Sequence, residues 1–220
     1  MNMRIRHLVL LAAVGYPVGP ASAQRWEIGV FGGGGFLSHA NLPGAPGVAA
    51  GFGGGPSAGV GLGHDLYRHW SGEIRYEYQL RDLHLSSSGT SAGMAGEAHV
   101  FQYDILWQAR TRRRRVRPYL VGGGGFKLYR GTGAETAYRP LMEYAYLTRT
   151  VEWKPMIAAG AGVKWRVGSR LVVRVDVRDQ ITPFPGQVIT PAGGARPRAW
   201  LNDIVPSLGV SWIFGEAGSE

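Results

Sequence analysis

The chain has 220 residues, no cysteine and a formal net charge of +9. Its length suits one domain with a real core. The missing cysteines exclude disulfides and thiolate chemistry.

The N-terminus comes first. Residues 1–23 read MNMRIRHLVLLAAVGYPVGPASA. Arg4 and Arg6 form a basic start, residues 8–14 an apolar stretch, and Ala21-Ser22-Ala23 a small-residue cleavage site before Gln24. This is the pattern of a secretory signal peptide. The apolar run is about half of the roughly 20 residues a spanning helix needs. Cleavage removes two arginines and no acid, so the net charge falls from +9 to +7. No later stretch has the roughly 18 continuous apolar residues of a transmembrane helix. Export makes nucleic acid an unsuitable partner, even for the run Arg112 to Arg115.

Period-two alternation then recurs along the chain and predicts strands. The first segment, about 25–37, carries "VFGGGGF" with Gly32 to Gly35. The second covers about 56–66. The third, about 70–84, contains "EIRYEYQLR", where Ile74, Tyr76, Tyr78 and Leu80 oppose Glu73, Arg75, Glu77, Gln79 and Arg81. In the fourth, about 97–110, Phe101, Tyr103, Ile105 and Trp107 oppose Gln102 and Asp104. The fifth, about 117–131, is "RPYLVGGGGFKLYRG" with Gly122 to Gly125. In the sixth, about 153–166, Ile157, Val163 and Trp165 oppose Lys164 and Arg166. In the seventh, about 170–182, Leu171, Val173, Val175 and Val177 oppose Arg174, Asp176 and Arg178. In the eighth, about 203–214, Leu208, Val210, Trp212 and Phe214 oppose Ser207, Gly209 and Ser211.

The connections alternate in length. Residues 38–55, 85–96, 132–152 and 183–202 are long, whereas 67–69, 111–116 and 167–169 are short. An antiparallel up-and-down β-barrel with one smooth end gives this alternation. Most segments exceed the roughly nine to eleven residues that cross a bilayer when tilted. The expected fold is therefore all-β, an eight-stranded transmembrane barrel over residues 24–214. A signal peptide at 1–23 precedes it and a short tail at 215–220 follows. With exported termini, the short turns face the periplasm and the four long loops face outward.

The arginine run then sits in a short turn, where it is solvated or meets anionic lipid head groups. The glycine runs allow sheet curvature and close approach of neighbouring groups. A phosphate-cradling loop would need a following helix with Lys and Ser/Thr, and none follows. The seven tryptophans fall near predicted strand ends. Trp26, Trp70, Trp107, Trp165 and Trp212, with Phe214, mark one interface, and Trp153 and Trp200 the other, as paired aromatic girdles. The polar face then points inward: Glu27, Glu73, Arg75, Glu77, Arg81, Gln102, Asp104, Lys127, Lys164, Arg166, Arg174, Asp176 and Arg178. Eight strands leave room only for side chains, so we read these groups as a salt-bridged plug in preference to a cation-lined pore.

The signal peptide, the "RPYLVGGGGF" strand start and the alternating last strand "IVPSLGVSWIF" resemble the small outer-membrane barrels of the OmpA/OmpX type. The resemblance spans residues 24–214. It implies insertion by the barrel-assembly machinery, which reads a terminal aromatic such as Phe214, although Gly215 to Glu220 follow it. It implies contact with outer-membrane lipids and lipopolysaccharide. It does not extend to the peptidoglycan anchoring of longer OmpA-type proteins.

Four functions remain open at this stage. A structural or surface-interaction protein would display its loops on a rigid scaffold. In that reading residues 135–153 extend the fifth and sixth strands as a hairpin beyond the membrane. A lipid-modifying enzyme would draw on Ser38 and His39, on His84 with Ser86 to Ser88, or on His99, but no spaced signature such as G-x-S-x-G occurs. A narrow channel would use the lumen arginines. A soluble carrier would need an apolar lumen and a polar exterior. No cofactor is indicated, and the six histidines make no H-x-x-x-H pair. The structural reading is the one we carry forward, without an enzymatic activity.

Overall fold

The computed structural model describes residues 25–42, 45–111, 114–136, 138–192 and 197–215. The expected signal peptide at 1–23, Arg112, Arg113 and the tail from 216 lie outside the described residues.

Eight strands close into one antiparallel barrel among the described residues. They are β1 (Trp26–Leu37), β4 (Gly55–Asp65), β5 (Trp70–Leu80), β8 (Gly96–Gln108), β9 (Val116–Gly131), β11 (Val151–Arg166), β12 (Leu171–Pro183) and β14 (Trp200–Phe214). Each pairs with the next in the chain, and β14 returns to β1 with Trp26 opposite Phe214. Closure removes both sheet edges, so no row of backbone donors is left for lipid or another chain to meet. The connections at 66–69, 109–115 and 167–170 are short, and those at the other end are long.

The alternation places apolar side chains outside and charges inside. Val30, Ile74, Leu120, Ile157, Val175 and Leu208 are exposed on the barrel exterior, while Arg75, Glu77, Asp104, Lys127, Asp176 and Arg178 are buried within it. This is the reverse of a soluble ligand carrier.

The third predicted strand runs too long. Instead of reaching residue 84, it ends at Leu80. The apolar positions change parity there, from Ile74, Tyr76, Tyr78 and Leu80 to Leu83 and Leu85. A strand cannot keep one face through such a change. Leu83–Ser87 instead forms β6 of a separate four-stranded sheet with β2 (His39–Asn41), β3 (Val48–Phe52) and β7 (Thr90–Met94), in the order β2-β3-β6-β7.

The expected hairpin over 135–153 is also different. β9 and β11 stop at Gly131 and start at Val151. Between them, β10 (Ala145–Leu147) pairs with β13 (Ile189–Pro191) from the fourth long connection. Pairing with another loop buries Ala145, Leu147, Val188 and Ile189, which a free-standing hairpin would leave in water. The long connections thus build a cap on the barrel. Its apolar core includes Val48, Phe52, Leu83, Leu85, Phe184 and Leu201. The barrel contributes Tyr129, whose ring stacks on Phe52 at 4.8 Å between centroids.

Candidate functional site

The barrel interior is the most densely charged part of the molecule. Inward positions along β5, β8, β9, β12 and β14 stack side chains in layers, because alternate residues of each strand face the axis.

The central layer is built on Glu73. Arg174 donates two hydrogen bonds to its carboxylate, at 2.6 and 3.1 Å, and Arg178 donates a third at 3.1 Å. Arg178 also donates to Asp104, and to Asp176 at 3.1 Å. Asp176 accepts further bonds from Arg174 at 3.0 Å, Tyr119 at 2.8 Å and Ser207 at 3.1 Å. Gln102 donates to Asp104 at 2.6 Å. Arg75 lies 3.3 Å above the Phe31 ring and forms ion pairs with Glu73, Glu77 and Asp176 at 3.6–3.8 Å. A buried charge is tolerable only with such partners.

A second layer lies toward the cap. Lys127 donates to Asp203 at 2.6 Å and to Gln180 at 3.3 Å. Arg81 reaches Asp203 at 3.4 Å and the Gly55 carbonyl at 2.6 Å. Gln180 and Gln79 both donate to Glu77. Above this layer Tyr129 and Thr182 share a hydrogen bond of 2.7 Å beneath the apolar cap. At the short-turn end Lys164 grips both oxygens of Glu27 at 2.9 Å, and Arg117 donates to Gln108 at 3.0 Å. A cavity of about 30 Å³ opens there, lined by Glu27, His64, Glu73, Arg117, Lys164 and Arg166 among others.

The structure thus brings Glu73, Arg75, Glu77, Arg81, Asp104, Lys127, Arg174, Asp176 and Arg178 into one buried network and sets Lys164 and Arg166 at its lower end. The sequence reading omitted Asp203, Arg117, Tyr119, Gln180 and Gln79's role as a bridge. Strand parity would have found them, since Asp203 shares its face with Ser207 and Ser211, and Arg117 with Lys127.

The glycine runs acquire a specific reason. A Cβ on Gly35 would collide with the Arg81 guanidinium and with Asp203 Oδ1, 2.5 Å away. A Cβ on Gly123 would collide with Asp104 and the Tyr103 carbonyl, whereas at the outward Gly122 it would meet nothing within 4 Å. Gly35 and Gly123 make room for the charged side chains beside them, while Gly33 and Gly125 let the backbone of the neighbouring strand approach.

On the exterior, Trp70, Trp107, Trp165, Trp212 and Phe214 are exposed around the short-turn rim, with Trp26 half-buried beside them. Trp153 and Trp200 are exposed toward the opposite rim. Of the histidines considered for catalysis, His99 faces outward from β8 and bonds Tyr76 at 2.8 Å. His39 and His84 meet on the cap, with ring centroids 5.9 Å apart. None of the three hydrogen-bonds a serine among the described residues.

No family model matches the sequence, and no curated protein does either. Solved structures do match. OprG from Pseudomonas aeruginosa aligns with a TM-score of 0.56 at 12% identity, covering 88% of this chain and 96% of that one. Neisserial surface protein A aligns at 0.53 and 9% identity, covering 88% and 98%. AlkL in lipid bilayers aligns at 0.51 and 14% identity, covering 94% and 98%. The fold is that of the small outer-membrane barrels. At these identities the likeness speaks for the fold, and the chemistry of this barrel has to come from its own residues.

Proposed function

We propose that the protein is an outer-membrane barrel, closed to solutes, with a structural and surface-interaction role. The observation that carries this is the radial inversion: an apolar exterior between two aromatic rims, around an interior of mutually paired charges. An apolar exterior is stable only in lipid. The paired interior supports a plug, because each carboxylate of the central layer is bonded to at least one guanidinium or amide and the cap covers the far end. In this reading the short turns face the periplasm, and the folded cap is what the cell presents outward. The lipid-facing bands contact outer-membrane lipids and lipopolysaccharide, and Phe214 serves recognition by the barrel-assembly machinery.

The test is conductance. Purified protein in planar bilayers should leave the membrane non-conducting over the voltage range where porins open. Discrete, reproducible steps from the wild type would overturn the plug in favour of a narrow channel.

A further inference from the structure

The cap sheet has one face on the apolar core and one face free. Ala40, Ala50, Leu85 and Ala92 point to the core. On the opposite face, His39, Gly51, His84 and Gly93 stand in one rung across four strands. His39 and His84 are two strands apart, so their backbones lie roughly 9.6 Å from each other. Their rings nonetheless approach to 5.9 Å at an interplanar angle of 72°. The glycine between them permits this, for the His39 ring leans over the central strand until its Cδ2 lies 3.2 Å from where a Gly51 Cβ would stand.

The other described histidines are engaged. His64 bonds Tyr103 at 3.1 Å, His69 bonds the Gln108 carbonyl at 2.8 Å, and His99 bonds Tyr76. His39 and His84 make no hydrogen bond among the described residues, so their ring nitrogens remain available as ligands. Two imidazoles sharing one metal at about 2.0–2.1 Å have centroids roughly 4.5–6.4 Å apart, depending on the angle at the metal. The observed separation falls inside that window.

We propose that His39 and His84 form a two-imidazole site on the cap for a late first-row divalent cation, of the Cu²⁺, Zn²⁺ and Ni²⁺ class. Imidazole is a preferred ligand for these ions, and Cu²⁺ is the tightest binder of the series. No third His, Asp or Glu groups with the pair among the described residues, so water completes the coordination. The pair is separated by 45 positions in sequence and is joined only by the register of β2, β3 and β6.

Cu²⁺ is the probe, titrated into tag-free mature protein in detergent micelles and followed by calorimetry and electron paramagnetic resonance. The expected result is one saturable site with nitrogen hyperfine splitting. His39→Ala and His84→Ala should each weaken binding at least about tenfold, the scale seen even when outer-shell partners are lost. His99→Ala should leave it unchanged. Gly51→Val keeps both imidazoles but fills the gap between them, and should also weaken it. Unheated gel mobility and resistance of the cap to protease report that each variant is folded. Unsaturable binding by the wild type, or unchanged affinity in folded His39→Ala or His84→Ala, would overturn the site and assign the metal to other groups.

Discussion

Asp203 shows how a single residue can decide the stability of this interior. It is the partner of Lys127 and Arg81, all three of them buried. Removing one member of a buried pair leaves an uncompensated charge and costs about 3–5 kcal/mol. Asp203→Ala should therefore lower the urea concentration at which the folded gel band disappears, while replacing an exterior residue such as Leu208 by Val should not. The glycines make a matched pair. Gly123→Ala forces Asp104 and the neighbouring backbone to move, at a cost of about 1–3 kcal/mol. Gly122→Ala, one position away on the open face, should be neutral or stabilising by about 0.5–1 kcal/mol, since an interior strand glycine is itself a liability. Equal effects of the two substitutions in the same unfolding assay would contradict this account of the glycine run.

At the scale of elements, the cap is a second cooperative unit stacked on the barrel. Its strands are three to five residues long, too short to persist without a shared core. That core is apolar, whereas the barrel beneath it is held by charges, so the two respond to different injuries. Leu85→Ala removes a side chain that is 1% exposed and should destabilise the cap by about 2–5 kcal/mol. Limited proteolysis should then cut within residues 39–52 or 83–94 much faster than in the wild type. The barrel should keep its resistance to SDS. Loss of both together would mean that cap and barrel unfold as one unit.

For the whole molecule, closure is the property to measure. A barrel without edges resists SDS until boiled, so heated and unheated samples of the outer-membrane fraction should migrate differently. A protein found in the soluble fraction with no shift in mobility would refute the membrane placement itself. Conductance then tests the plug, and a triple change of Glu73, Asp104 and Asp176 to alanine should make the interior leaky or prevent insertion, because it strips Arg174 and Arg178 of their carboxylates.

The eight barrel strands, their inward and outward faces and the tryptophan rims could be read from the chain, because a period of two is a local property that each strand writes into its own residues. So could most of the lumen: Glu73, Arg75 and Glu77 alternate visibly with Ile74 and Tyr76. Pairing partners are another matter. That Arg178 meets Asp104, that Asp203 holds Lys127, and that Gly35 makes room for Arg81 depends on register between strands far apart in sequence. The cap is hidden in the sequence for the same reason. Its strands are short, their apolar residues are mostly alanine, valine and leucine among glycines, and the one loop that reads as β-forming, 135–153, points to a hairpin of its own and not to the pairing with 189–191 that it makes. Only when the four connections converge over the barrel mouth do Phe52, Leu85 and Ile189 find a common core, and only then do His39 and His84 face each other across Gly51.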